Sequence, residues 1–386
     1  PPLCFSSSYE AMMEGAGIGA KVTASLGYTG GDGPLLVART GKPTAKTKVR
    51  LKQMEQAVIF LGTDTSIESE GQDRADVTLP RAQTNFALAA LKIRAEARLP
   101  TVIVISSGGP LSLEAIVDAA HASSGAVAIV QTFWLGSATD ELAQTLFGDL
   151  CRWGKLPYSI FRAEDATREP FESMRIAPTS ASGDRGRTYR YARAAPLFPF
   201  GWGLSYTTVV FSALHMRVGS GSSGGVGGGG GTNDAGARSS PILTALRSEA
   251  GLALTVSLYN AGARDGDEVV QLYATPLPLA SDETERLYAL PDRQLVDFSR
   301  IRLAAGESTE VVFTLSADAL AAVTRADDGS PRLTPGRRFI LLVCNGNVRF
   351  DGDDVRARGA YRWKRGYGDM DGARESEEAS QLVITI

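Results

Sequence analysis

An α/β/α sandwich with a mostly parallel sheet, followed by an all-β sandwich, is the architecture the sequence predicts. Three observations lead to it. Between residues 56 and 149, apolar β-branched runs alternate with amphipathic stretches at the spacing of βαβ units, which place a parallel sheet between helices. From Leu252 onward the pattern changes to period two, in runs separated by Gly, Pro and Asn turns. The 386 residues, 43% of them hydrophobic, suffice for a separate core in each part.

The first strand is AVIFLG at 57–62, and the acidic loop DTSIESEGQDR at 64–74 follows it. Residues 79–100 interleave Phe86, Leu88, Leu91 and Ile93 with charge between Pro80 and Pro100, which reads as a helix. The motif then repeats. TVIVIS at 101–106 closes on Gly108, Gly109 and Pro110, and SLEAIVDAAHA at 112–122 has helical periodicity. GAVAIVQTFW at 125–134 supplies a third strand, and ATDELAQTLFGD at 138–149 a third helix.

Beyond Lys155 the periodicity fades into an ordered connecting segment rich in aromatics, Gly and Pro, ending in PLFPFGWGLSYT at 196–207. The tract GSGSSGGVGGGGGTNDAG at 219–236 reads as a solvated, flexible loop. LALTVSLYN, DEVVQLYATP, STEVVFTLS and RRFILLVCNGN then give the strands of the second part. No Cys–Trp–Cys immunoglobulin spacing is present, so this part reads as fibronectin type III-like. The tail is polar until LVITI at 382–386, which either adds a last strand or hangs free. The boundaries that result are a connection at 1–55, the α/β sandwich at 56–180, the aromatic connection at 181–207, the β domain at 208–350 and the tail at 351–386.

Composition excludes several functions. Forty Lys+Arg against 43 Asp+Glu leave a net charge of −3 with no basic stripe, which argues against nucleic acid as a partner. No apolar run approaches the roughly 20 residues a membrane span needs. Three widely spaced cysteines, Cys4, Cys151 and Cys344, form neither a disulfide framework nor a metal knuckle, and His121 and His215 sit in apolar contexts that suit packing or surface roles. No metal or cofactor is expected. GAGIGA at 15–20 follows a helix-like stretch and reads as a helix stop. GSSGG at 221–225 spells a nucleophile elbow only by composition, and DGDD at 351–354 lacks the spacing of a calcium loop.

In such sheets ligands bind beyond the carboxyl ends of the strands. The loops there hold Glu68 and Glu70 after the first strand, residues 106–109 after the second and Trp134 after the third. Carboxylate, backbone amides and an aromatic face together suit a sugar. On spacing alone the two acids are equally what a solvated loop carries. A carboxyl sheltered at such a crevice has its pKa raised by desolvation, the property of a general acid near neutral pH. Asp73 and Arg74 are expected to pair within the loop and shape its turn.

The order of motifs adds a resemblance. FLGTDTSIESEGQDRADVTLP, VIVISSGGPLSLE, LFGDLCRWGKLPYS, MRIAP, GRTYRY, PLFPFGWGLSYT and RQLVDFSRIRLAAGES, in that order, resemble the C-terminal half of glycoside hydrolase family 3. Among its branches they look closest to the plant and fungal β-xylosidase/α-arabinofuranosidase group. The resemblance implies a three-part retaining glycosidase: a (β/α)8 barrel with the nucleophilic Asp, an α/β sandwich whose loop carries the acid/base Glu, and a fibronectin type III-like domain. That Glu corresponds to Glu68, with Glu70 as the alternative. Only residues 1–56 precede the first strand, whereas a barrel takes about 250, so the chain is expected to follow a barrel that it does not contain.

The implied substrate is an oligosaccharide from xylan or arabinoxylan, met outside the cell. Where the family has Tyr-Pro-Gly-Gln-Glu-Gly-Gly, residues 134–140 read WLGSATD, and Trp134 is the substrate-binding candidate there. Asn-Pro-Gly-Gly-Lys-Leu-Pro becomes CRWGKLP at 151–157. Two other readings stay open: a sugar-binding or interaction module without catalysis, and a purely structural product. Phe198, Phe200, Trp202 and Tyr206 would stack a ligand in the former and pack an interface otherwise.

Overall fold

The computed structural model describes residues 41–136, 138–167, 172–178, 186–217, 241–277, 279, 290–323, 331–334, 336–346 and 379–386. The expectations placed on residues 1–40, on the glycine tract and on residues 351–354 lie outside them. Two compact units result. The first holds the described residues up to Leu150 with Ser159–Met174 and Ala194–Phe198, and the second holds Cys151–Tyr158, Arg175–Arg193 and Pro199–Ile386.

The first unit runs α1 (Ala45–Gln53), β1 (Ala57–Gly62), α2 (Arg81–Glu96), β2 (Thr101–Ser106), α3 (Glu114–His121), β3 (Val127–Gln131), α4 (Thr139–Phe147) and α5 (Ala163–Ala166). The three strands form a parallel sheet in the order β1-β2-β3. Ile59 and Leu61 of β1 and Ile103 and Ile105 of β2 bury against Leu51 of α1, Ala87, Ala90 and Leu91 of α2, and Ile116 and Val117 of α3. Period-two strands meeting helical stripes of spacing three and four give the α/β layering that the sequence predicts.

One charge sits inside this core. Arg94 continues the apolar stripe of α2 and is 1% exposed. Its Nη1 donates to the Leu51 and Met54 carbonyls, its Nη2 to those of Glu55 and Pro100, and its Nε to Thr101 Oγ1. All five guanidinium N–H groups are thereby used. The acceptors are the end of α1, the approach to β1 and the start of β2. Gln83 of α2 closes the opposite end of β1, accepting from the Gly62 amide and donating to its carbonyl at 2.8 Å each.

The second unit includes α6 (Thr188–Tyr191), β4 (Val209–Phe211), β5 (His215–Arg217), α7 (Pro241–Arg247), β6 (Leu252–Asn260), β7 (Gly266–Pro276), β8 (Gln294–Leu303) and β9 (Ser308–Leu315). After the short helix α8 (Ala317–Leu320) come β10 (Ala322–Val323), β11 (Pro331–Arg332), β12 (Arg338–Cys344) and β13 (Ala379–Thr385). One sheet has the order β13-β12-β7-β8, and in the other β6 pairs with β4, β5 and β9. Leu252, Leu254, Val256 and Leu258 of β6 share one core with Val270 and Leu272 of β7 and Leu341 and Val343 of β12. The segment at 382–386 adds a strand: β13 runs antiparallel to β12.

Lys155 lies 3.0 Å from Glu268 with side chains only 6% and 4% exposed, and donates to the Gly203 carbonyl at 2.7 Å. Phe200 stacks on Tyr189 at 4.1 Å beside the buried Tyr273, while Phe198 packs in the core of the first unit. Both are packing residues. Trp153 and the exposed Tyr206 meet edge to face at 5.4 Å. His121 and His215 are surface residues, and Cys151 and Cys344 are buried free thiols, with burial pushing Cys344 up to about 12.

Arg94→Met should destabilise the protein by about 3 kcal/mol, because the buried Leu51 carbonyl and three partly buried ones lose their donor at once. Lys155→Met should cost about 3–5 kcal/mol by leaving the Glu268 carboxylate buried and unpaired. Urea unfolding of each variant gives the comparison, and a loss below 1 kcal/mol in either would refute that assignment.

Candidate active site

The loop after β1 is built rather than slack. Asp64 Oδ1 accepts from the Ser66 amide at 2.9 Å and hydroxyl at 2.6 Å, and its carbonyl accepts from the Ile67 and Glu68 amides at 3.0 Å each. Ser69 and Gln72 exchange both backbone hydrogen bonds, at 3.0 and 2.9 Å, so Glu70 and Gly71 form the tip of a tight turn. Gly71 has φ +74°, which suits a residue without Cβ at that turn position. Glu70 is exposed there.

Glu68 points the other way. Its Oε1 accepts from the Thr63 hydroxyl at 2.6 Å, its Oε2 lies 2.5 Å from Arg74 Nε, and the Gly108 backbone donates a further bond. Burial pushes this carboxyl up. The Thr63 hydroxyl, the hydrogen bond and charge of Arg74, and the Gly108 amide outweigh it, so its pKa lies below the ordinary carboxylate value. The raised value expected of a sheltered carboxyl is therefore corrected for Glu68. The ion pair expected between Asp73 and Arg74 is corrected too: Arg74 pairs with Glu68.

Trp134 joins the same cluster from beyond β3. Its indole N–H donates to the Thr63 carbonyl at 2.8 Å, and a Cβ on Gly108 would meet its ring at 3.0 Å, so a side chain there would push the indole by a few tenths of an ångström. Phe133, just before it, has φ +56°, a left-handed conformation that costs a phenylalanine about 1–3 kcal/mol. Its carbonyl accepts from Ser106 Oγ at 2.8 Å and Thr132 Oγ1 at 3.0 Å, which hold the residue in place.

The three strand ends thus bring together Glu68, Gly108 and Trp134, the groups that sequence reasoning placed on adjacent loops. Thr63 and the Arg74–Glu68 pairing were missed. Thr63 follows the strand with no motif of its own, and a six-residue separation within a loop has no periodic signature. Among the described residues no group of three or more His, Cys, Asp or Glu is placed to hold a metal, and no helix is long and apolar enough to cross a membrane.

A parallel α/β sandwich with an acidic strand-end loop, followed by an antiparallel β sandwich, is the class these units define. Residues 8–206 match the Glycosyl hydrolase family 3 C-terminal domain, and residues 268–345 match the Fibronectin type III-like domain. The chain belongs to glycosyl hydrolase family 3. It is 30% identical over 272 residues to a protein of Neosartorya fischeri named "Probable beta-glucosidase J", covering 67% of this chain and 26% of that one. It is 25% identical over 304 residues to the Arabidopsis thaliana "Probable beta-D-xylosidase 6", covering 76% of this chain and 36% of that one. The solved β-glucosidase from Chaetomella raphigera superposes with a TM-score of 0.57 at 28% identity, covering 77% of this chain and 39% of that structure. The chain therefore spans about a quarter to two fifths of these three relatives.

Because the folded-state pKa of Glu68 lies below its unfolded value, its ionised form adds stability above the unfolded pKa, which is lost as pH falls through the folded pKa. Arg74→Met should shift the Glu68 titration upward. Side-chain carboxyl ¹³C NMR reads the shift, and an unmoved titration would rule out Arg74 as a main cause.

Proposed function

We propose that the loop after β1 supplies the general acid/base of a retaining glycosidase, whose nucleophilic carboxylate comes from outside the described residues. The observation that carries this reading is the contrast between two carboxylates two positions apart. Glu68 is bound by Thr63, Arg74 and Gly108, whereas Glu70 is exposed on the tip of a turn that the same loop holds rigid. A general acid must keep a proton near neutral pH, and the partners of Glu68 drive it toward the ionised form. Glu70 is accordingly the donor in this proposal and Glu68 the positioning residue, the reverse of the order that the sequence resemblance suggested.

In the first step the nucleophile attacks the anomeric carbon while Glu70 gives its proton to the departing glycosidic oxygen. In the second, Glu70 as carboxylate takes a proton from the water that displaces the enzyme ester, so the anomeric configuration is retained. Arg74 and Thr63 hold Glu68 as the carboxylate through both steps.

The substrate in this reading is a terminal β-xylosyl residue of a xylan-type oligosaccharide, met outside the cytoplasm. The β-xylosidase relative supports the xylosyl choice. The glucosidase relatives make β-glucosyl the competing choice, and α-arabinosyl enters through the sequence resemblance alone. The ranking of kcat/KM on the three 4-nitrophenyl glycosides decides among them.

In the natural full-length protein, Glu70→Gln should lower kcat/KM about 10²–10⁴-fold on glycosides with poor leaving groups and far less on dinitrophenyl glycosides, whose departure needs little protonation. Glu68→Gln should lower both alike. Leaving-group dependence in Glu68→Gln alone would exchange the two roles, and its absence from both variants would refute the acid/base reading.

A further inference from the structure

We propose that Gln131 and Ser107 form a relay that fixes the Gly108 amide on the Glu68 carboxylate, which makes two neutral side chains at the ends of β3 and β2 positioning residues of the acidic loop. The consequence for catalysis rests on the acid/base reading of that loop. Of the three partners of Glu68, Thr63 and Arg74 belong to the same stretch of chain, whereas Gly108 reaches it from the turn after β2. Through that bond a neighbouring strand end acts on the carboxylate directly.

A donor in a glycine pair has to be held. Gly108 and Gly109 follow one another, and two successive residues without Cβ leave the backbone unusually free. Ser107 removes that freedom. It is fully buried, and its hydroxyl donates to the Gly109 carbonyl at 2.7 Å, closing a small ring that orients the peptides on both sides of Gly108. A serine hydroxyl has one proton to give and can accept as well. With the proton directed at Gly109, the oxygen accepts from Gln131 Nε2 at 3.0 Å.

Gln131 is the last residue of β3 and lies opposite Ile105 in the parallel register. Its side chain therefore extends past the ladder, to a hydroxyl two positions beyond its own partner. The Thr132 amide donates to the Ile105 carbonyl at 3.0 Å and holds that strand end in place. Arg74, from the loop itself, is the charge that acts on Glu68, while the turn after β2 brings the neutral amide and the Trp134 indole bonds Thr63 instead. Loss of the relay thus weakens one of the groups that favour the ionised carboxyl and leaves the other two.

The test follows the Glu68 carboxyl by ¹³C NMR across pH in the natural full-length protein, its signal assigned as the one that Glu68→Gln removes. Ser107→Ala and Gln131→Leu should each move the titration upward by about half a pH unit or more. The double variant should move it no further than Ser107→Ala alone, because Gln131 acts through that hydroxyl. A titration left in place by both single variants, even with stability lost, would overturn the relay, and additive shifts would overturn it as well. Should Ser107→Ala not fold, Gln131→Leu decides by itself: an upward shift keeps the relay and none removes it. Assays of the wild-type protein on 4-nitrophenyl glycosides separate the two claims. A moved titration in a protein that hydrolyses no glycoside leaves the relay standing and sinks the acid/base reading alone.

Discussion

The guanidinium of Arg94 is the constraint on which the first unit depends. A parallel sheet leaves the peptides before each strand without ladder partners, and here those of Glu55 and Pro100 are carbonyls at the edge of a hydrophobic core. One planar cation accepts the task for both and for the end of α1 as well. With the starts of β1 and β2 tied to a common point, their register is fixed from Ala57 opposite Thr101 to Gly62 opposite Ser106. Thr63 then donates its amide to Ser106, and the loops that follow begin side by side.

That register explains why so few side chains organise the candidate site. Thr63 is the first residue past β1, Ser106 the last of β2, and Phe133 and Trp134 follow β3 closely. Each makes a contact across a strand boundary, so the acidic loop, the Gly108 turn and the indole are positioned by the sheet rather than by one another alone. Electrostatics then separates two acids of similar sequence context. Glu68 faces the sheet end, where hydroxyl, guanidinium and amide favour its charge, and Glu70 faces solvent on the turn.

Most of this fold was legible in the periodicity. The βαβ spacing gave the parallel sheet, and the alternation of Leu252, Leu254, Val256 and Leu258 gave the inner face of the β sandwich. The strand β8 was not read from its pattern because many of its residues are half-buried, which blurs the alternation of sides. Arg94 was visible in principle: Ala87, Ala90, Leu91 and Arg94 fall on one helical stripe, and a charge in such a row needs partners. The Glu68–Arg74 pair was not, since the loop's path joins them and no repeat encodes that path. The neighbouring Asp73 looked the simpler partner by proximity alone.

The same geometry bears on what this part of a family 3 protein contributes in the proposed reading. Proton transfer requires a carboxyl at the departing oxygen, whereas discrimination among leaving groups requires a surface beyond it. In that reading the first task falls to the loop after β1, which Thr63 and Gly108 join to the indole beyond β3. A change of ring at position 134 alters the surface and leaves the Glu68–Arg74 pair standing, because that pair takes only the hydroxyl of Thr63 and the amide of Gly108. The acidic loop and the indole are thus held through different atoms of shared residues, the hydroxyl and carbonyl of Thr63 and the amide and bare Cα of Gly108.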